Sequence, residues 1–239
     1  MDTLHFFKAV LKNIIFPDQP IDITQELIEF VEPRHSKTSF HKLIDKKGLL
    51  LDVGCGNNSP YIMKSLFPDI HYTGIDVGDH NQTMPNLADE YIIAEPDKFA
   101  DAILNLEKKY DTVFSSHNLE HCNDREKTLK AMTEVLKPGG YLLLQFPTEK
   151  SVNFPGLRNG CLNYYDDYTH KDKPPNFRQT IKSLKQAGME ILFSSKSYKP
   201  FRKYIIGALM EKESKKDKEV KWATWEYWGF EAIIWARKK

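Results

Sequence analysis

The sequence predicts an α/β fold: a mostly parallel sheet with helices on both faces. Short apolar runs at 49–53, 71–75, 91–93, 112–115 and 141–146 are rich in β-branched or aromatic residues and bounded by turn formers, so they read as strands. Helical stretches at 60–67, 99–108 and 124–136 lie between them, the last opened by Asp124 as N-cap and stopped by Pro138-Gly139-Gly140. Strands that alternate with helices pair in parallel, and a parallel sheet is covered on both faces. Two further strands, 191–198 and 230–236, bring the sheet to seven.

Ahead of the first strand, 4–16 reads as an amphipathic helix. Lys8, Lys12 and Asn13 interrupt it, and it is too short to span a bilayer. With no signal-peptide pattern, a cytoplasmic location without a membrane partner is expected. Stretches 24–31 and 36–46 read as helices separated by Pro33 and are expected to cover a ligand cleft. After the fifth strand comes an irregular segment, 147–175, of the length that usually carries function. A helix at 176–187 ends at Gly188, and the charge run 211–221 reads as a solvated face. The chain is thus expected to form one domain, with a helical extension (1–47), a core (48–146) and a loop with the last strands (147–239).

Composition excludes several classes. Lys and Arg number 34 against 33 Asp and Glu, a net charge of +1, so there is no global field to hold a nucleic acid. Cys55, Cys122 and Cys161 form no CxxC pair and fit reduced thiols in a cytosol. Trp222, Trp225, Trp228 and Trp235 read as packing for the last strand rather than as a stacking platform.

The run Leu49-Leu50-Leu51-Asp52-Val53-Gly54-Cys55-Gly56-Asn57-Asn58-Ser59 is a buried strand entering a glycine turn and then a helix, where an open α/β sheet binds ligands. Gly74-Ile75-Asp76 places a carboxylate 20 residues after Gly56, positioned to accept hydrogen bonds from ribose hydroxyls. No third glycine follows Gly56, so the turn suits a nucleoside without a pyrophosphate.

These two motifs resemble the first and second motifs of class I S-adenosylmethionine-dependent methyltransferases. The resemblance continues through the fourth-strand stretch from Tyr110 to His121 and through Val135-Leu136-Lys137-Pro138-Gly139-Gly140-Tyr141-Leu142, in the family's order. It implies the Rossmann-like class I methyltransferase fold, with S-adenosyl-L-methionine as cofactor and S-adenosyl-L-homocysteine as product. Carried over by position, Asp52, Gly54, Cys55 and Gly56 would frame the methionine part. Asp76 would hold the ribose, Val77 would stack near the adenine, and Glu95, with Asp97 as rival, would contact the adenine. Ser116 and His117 would lie beside the cofactor.

Methyl transfer is an in-line displacement at a sulfonium carbon, so the enzyme chiefly aligns the acceptor and excludes water. An alcohol acceptor also needs a base, which a histidine near neutral pKa supplies. His117 is one candidate, whereas Glu120 and His121 read as scaffold. The stretch Asn163-Tyr164-Tyr165-Asp166-Asp167-Tyr168-Thr169-His170 resembles an acceptor loop of methyltransferases associated with sugar and surface-polysaccharide modification. It implies acceptor binding by Tyr164, Tyr165, Asp167 and His170, with Asp167 and His170 catalytic. Asp166, Asp167 and His170 converge within five residues, but no further ligands show recognisable spacing, so no metal is expected.

The expectation is methyl transfer to an oxygen, or alternatively a nitrogen, of a small polar acceptor such as a sugar, a sugar nucleotide or a related metabolite. RNA or protein methylation is the rival enzyme reading, weakened by the charge balance. A cofactor-binding scaffold without catalysis is the rival outside enzymes. Oligomeric state stays open.

Overall fold

The computed structural model describes residues 35–239. The helices expected at 4–16 and 24–31 lie outside the described residues. Among the described residues one seven-stranded sheet forms from β1 (Leu49–Val53), β2 (His71–Asp76), β3 (Glu90–Ile93), β4 (Tyr110–Ser116), β5 (Leu136–Pro147), β6 (Met189–Ser195) and β7 (Glu231–Lys238), in the order β3-β2-β1-β4-β5-β7-β6. The first five strands run parallel, and β7 lies antiparallel between β5 and β6. The strand order reverses between β1 and β4, which opens a crevice at their carboxyl ends.

Successive residues of β1 face opposite sides, and each side has its own core. Leu51 and Val53 join Val113, Leu142 and Leu144 in one cluster. It is covered by α3 (Phe99–Leu104), α4 (Arg125–Glu134) and α5 (Phe177–Gln186), through Ile103, Met132 and Leu184. Leu50 joins Tyr72, Phe114 and Leu143 in the other, beneath Phe40 of α1 (Lys37–Phe40) and Met63 of α2 (Ser59–Leu66).

Segment 36–46 differs from its expected form. It is one short turn of α-helix and a 3₁₀ turn, His41–Leu43, and it covers the sheet rather than the cleft. Phe40 decides this, because its fully buried ring packs edge-on against Phe114 and Trp235 at 5.4 and 5.2 Å. The Pro138-Gly139-Gly140 turn is absorbed into β5, whose pairing with β4 shifts register opposite Tyr110 and Thr112, and the positive φ of Gly139 (80°) permits the kink. The charge run starts within a longer helix, α6 (Phe201–Asp217), and continues past its end, and it is not wholly a solvated face, since Glu211 is buried and paired with Arg158 at 2.9 Å; α7 (Thr224–Trp228) follows. Among the described residues, no helix is long and apolar enough to cross a membrane.

Candidate functional site

A cleft of about 510 Å³ opens at the carboxyl ends of β1, β2 and β4, within the size range of small-molecule sites. Gly54 and Gly56 form its floor. Gly54 has φ +81°, and a Cβ there would sit 2.5 Å from the Asn118 side chain, so only glycine fits both the backbone and the space. Asn57 and Asn58 follow at φ 55° and 60°, left-handed positions that asparagine tolerates, and Asn57 N–H donates to His80 O at 2.9 Å. The turn is a shape into which a ligand's atoms approach the backbone.

Two residues expected at the cofactor turn, Asp52 and Cys55, do not present their side chains to the cleft. Asp52 is buried beneath the turn, where its carboxylate accepts hydrogen bonds from Ser59 Oγ and, at 2.8 Å, from the Tyr72 hydroxyl. Burial raises its pKa. It ties the end of β1 to the start of α2 and so holds the turn in shape. The Cys55 side chain is fully buried against Gly74, and burial pushes its thiol pKa up.

Asp76, at the end of β2, does line the cleft. Its Oδ1 accepts from Val77 N–H at 2.7 Å and lies 3.9 Å from His80 Nε2, and burial raises its pKa against those contacts. Val77, Pro96 and Phe99 give the neighbouring wall an apolar face. Glu95 departs from its expected place, because its side chain is 70% exposed and paired with Lys98 at 2.7 Å. Asp97 also sits at the surface, accepting from Asn123 at 2.7 Å. The start of the 3₁₀ turn Pro96–Lys98 turns both acids outward and leaves Pro96 and Phe99 on the cleft wall.

Ser116 and His117 reach the cleft from the end of β4, and Ser116 Oγ donates to Gln145 Oε1 at 3.1 Å. His117 has φ 54°, an uncommon conformation outside glycine, and each of its ring nitrogens meets a carboxylate: Nδ1 at 3.1 Å from Glu120 and Nε2 at 2.8 Å from Glu231. Burial opposes its charge, yet the hydrogen bonds to Glu120 and Glu231 push its pKa up to about 10. Both of its ring nitrogens are already engaged by carboxylates, which leaves neither free to take a proton from an acceptor and argues against the general-base role expected of it. It serves as a strap between β4 and β7, stacked near Trp225 and Phe230.

The segment expected to bind acceptor divides in two. Asp167 lines the cleft together with Tyr168, Thr169 and Lys171. Burial works to raise its pKa, but the Thr169 hydroxyl and amide, with the nearby His170 and His121 rings, hold it below the ordinary carboxylate value. Tyr164 is instead fully buried, with its hydroxyl donating to Lys171 O at 2.7 Å and accepting from Arg125 at 3.1 Å. Tyr165 is 62% exposed and outside the cleft lining. The His170 ring stacks on Tyr164 at 4.4 Å and donates from Nδ1 to Tyr164 O, which places it behind the cleft wall. Asp166 braces the loop by accepting from the amides of Leu157, Leu162 and Asn163.

The sequence matches the methyltransferase-domain family over residues 25–232. The chain belongs to that family. Among curated proteins, the 27-O-demethylrifamycin SV methyltransferase of Amycolatopsis mediterranei (strain S699) is 32% identical over 102 residues, which cover 40% of this chain and 37% of that protein. The O-methyltransferase rstn1 of Aspergillus nomiae NRRL is 26% identical over 132 residues, 50% of this chain and 56% of that one. The chain therefore spans between 37% and 56% of the length of these two curated relatives. Among solved structures, an S-adenosylmethionine-dependent methyltransferase from Mesorhizobium loti superposes with a TM-score of 0.57 at 14% identity, over 84% of this chain and 96% of its own. One from Archaeoglobus fulgidus gives 0.52 at 15% identity, over 99% and 100%. Likeness at that identity shows the fold.

Several members of the cleft lining escape the sequence reading: Asn57, His80 and Asn81 at one end, and Tyr168, Thr169 and Lys171 at the other. The first group follows from the left-handed asparagines, since a turn held open by Asn57 must be met by the loop after Asp76. His121, taken as scaffold, also lines the cleft, and burial lowers its pKa.

Proposed function

We propose that this methyltransferase-family chain transfers a methyl group from S-adenosyl-L-methionine to an oxygen of a small hydroxylated acceptor, with sugars and sugar nucleotides as the favoured class. One observation carries the reading: a single cleft joins a glycine turn and Asp76 at one end to Asp167, Thr169 and Lys171 at the other. Gly54 and Gly56 leave the space a sulfonium-bearing amino acid needs. Asp76, already oriented by Val77 N–H, has its second carboxylate oxygen for ribose hydroxyls, and Val77 and Phe99 offer apolar surface to an adenine. The fit is to a nucleoside without a phosphate chain.

The bound cofactor supplies an electrophilic methyl carbon. The chain's own residues hold the acceptor in line and take up a proton. As the acceptor oxygen forms its bond to that carbon, the carbon–sulfur bond breaks, its electron pair stays on sulfur, and the product thioether is neutral. The hydroxyl proton passes to Asp167, the carboxylate on the cleft wall at the acceptor end. Lys171 lines the same end, and a lysine there favours acceptors carrying an anionic group such as a phosphate. The O-methyltransferases among the curated relatives support oxygen over nitrogen.

The test is transfer of label from methyl-labelled S-adenosyl-L-methionine to a panel of hydroxylated small molecules, phosphorylated and unphosphorylated, beside amines, RNA and protein. Label on a hydroxylated small molecule, strongest with a phosphorylated one, is the expected result. Label on RNA, protein or amines alone, or none at all with the cofactor bound, overturns the reading.

A further inference from the structure

One carboxylate oxygen of Glu120 and one ring nitrogen each of His121 and His170 lie within 4.8 Å of one another. Hydrogen bonds decide which atoms are left to bind. His170 Nδ1 faces Tyr164 O, a carbonyl that only accepts, so Nδ1 carries the proton and Nε2 is the remaining donor atom. The Thr169 hydroxyl donates to Asp167 Oδ1 at 2.6 Å, so its oxygen accepts from His121 Nδ1 at 2.9 Å, and Nε2 is again left over. Glu120 is fully buried; its Oε1 pairs with His117, while its Oε2 has no hydrogen-bond partner among the described residues. A buried carboxylate oxygen without a partner is costly, and native structures seldom leave one unexplained.

We propose that Glu120, His121 and His170 bind a divalent first-row transition-metal ion at the acceptor end of the cleft. Two imidazoles and a carboxylate are a zinc-, iron- or manganese-type donor set, whereas magnesium and calcium prefer oxygen alone. Each histidine has its Nδ1 held by an oxygen acceptor, the outer-shell arrangement that orients metal-binding imidazoles. Charge agrees: the Glu120 and Asp167 carboxylates both lie beside the imidazoles, and only Glu120 Oε1 is taken up by His117. Asp167 Oδ2 stands 3.9 Å from His170 Nε2, and His121 reaches the cleft wall, so the ion would border the acceptor. Its use there, polarising the acceptor hydroxyl so that a weakly basic Asp167 suffices, rests on the methyl-transfer reading; the site itself does not.

The experiment is titration of chelator-stripped protein with Co²⁺, read by its visible d–d absorption, with Zn²⁺ as competitor and Mg²⁺ as control. One Co²⁺ per chain, displaced by Zn²⁺ and indifferent to Mg²⁺, is expected, with His170→Ala and His121→Ala each weakening uptake by about tenfold or more. Circular dichroism confirms that each variant is folded. If His170→Ala does not fold, His121→Ala at a part-exposed position carries the comparison. Absence of Co²⁺ bands in folded wild type, or uptake that the variants leave within about twofold, overturns the site. Because no cofactor or acceptor is present, failure here leaves the methyl-transfer reading standing, and failure of cofactor binding leaves the metal site standing.

Discussion

The two ends of the cleft are built in different ways. The cofactor end is backbone: Asp52 and Val53 pair in register with Gly74 and Ile75, Gly54 N–H donates to Ile75 O at 2.8 Å, and the turn's shape is set by residues close in sequence or one strand apart. The acceptor end is side chain. His117 is held by Glu231, 114 residues away, and the Thr169 hydroxyl meets His121 Nδ1 at 2.9 Å, 48 residues apart, joining two loops that sequence keeps apart. Backbone geometry leaves glycines and asparagines at fixed spacing; side-chain assemblies leave no such trace.

That contrast predicts separable effects. Asp167→Asn is expected to lower turnover by roughly 10²- to 10⁴-fold, the worth of a positioned proton acceptor, while cofactor affinity stays within about twofold. Steady-state kinetics beside calorimetry checks it, and joint loss of both would merge the two ends into one.

A third region sharpens the contrast from outside. His41, on the far face of the sheet against Phe114, has its pKa lowered to about 4 by burial and then by Lys37. The unfolded chain protonates near 6.5, so the unfolded state binds more protons between those values. Stability is therefore full above about pH 6.5 and falls with acidification to pH 4, by at most about 3 kcal/mol. Urea unfolding across that window measures the loss, and His41→Gln should flatten it; an unchanged slope would assign the acid sensitivity elsewhere.

Smaller again is the cofactor end: Asp76→Ala is expected to weaken cofactor binding by about 1.5 to 3 kcal/mol, the value of charged hydrogen bonds to a ribose. Titration calorimetry reads it directly, and undiminished affinity would move the ribose site away from β2. Smallest are Glu95→Gln and Tyr165→Phe, both outside the cleft lining, which should change cofactor affinity and turnover by less than about twofold. A large effect of Glu95→Gln would bring that acid back to the adenine.

The strand runs, the glycine turn and Asp76 were legible because their spacing is the structure: a buried strand, a left-handed turn and a carboxylate one strand over admit few alternatives. The fold was legible for the same reason. The side-chain directions of Asp52 and Cys55 were not legible: alternation along β1 does not reveal whether the Asp52 side chain meets the cleft, and the glycine turn does not reveal that the Cys55 thiol packs on Gly74. The acceptor loop was half legible. Tyr164 and Tyr165 are neighbours, yet Arg125 and two backbone carbonyls draw the first inside while the second stays in solvent. No local pattern encodes that choice. His117 illustrates the limit most sharply, since Glu231, 114 residues away, joins the neighbouring Glu120 in occupying both nitrogens of the candidate base.

The most direct test of the account is calorimetric titration of the protein with S-adenosyl-L-methionine, S-adenosyl-L-homocysteine and NAD. The glycine turn without a third glycine, facing Asp76, predicts binding of the first two and none of the pyrophosphate-bearing control. Binding of NAD, or of none of the three, would contradict it.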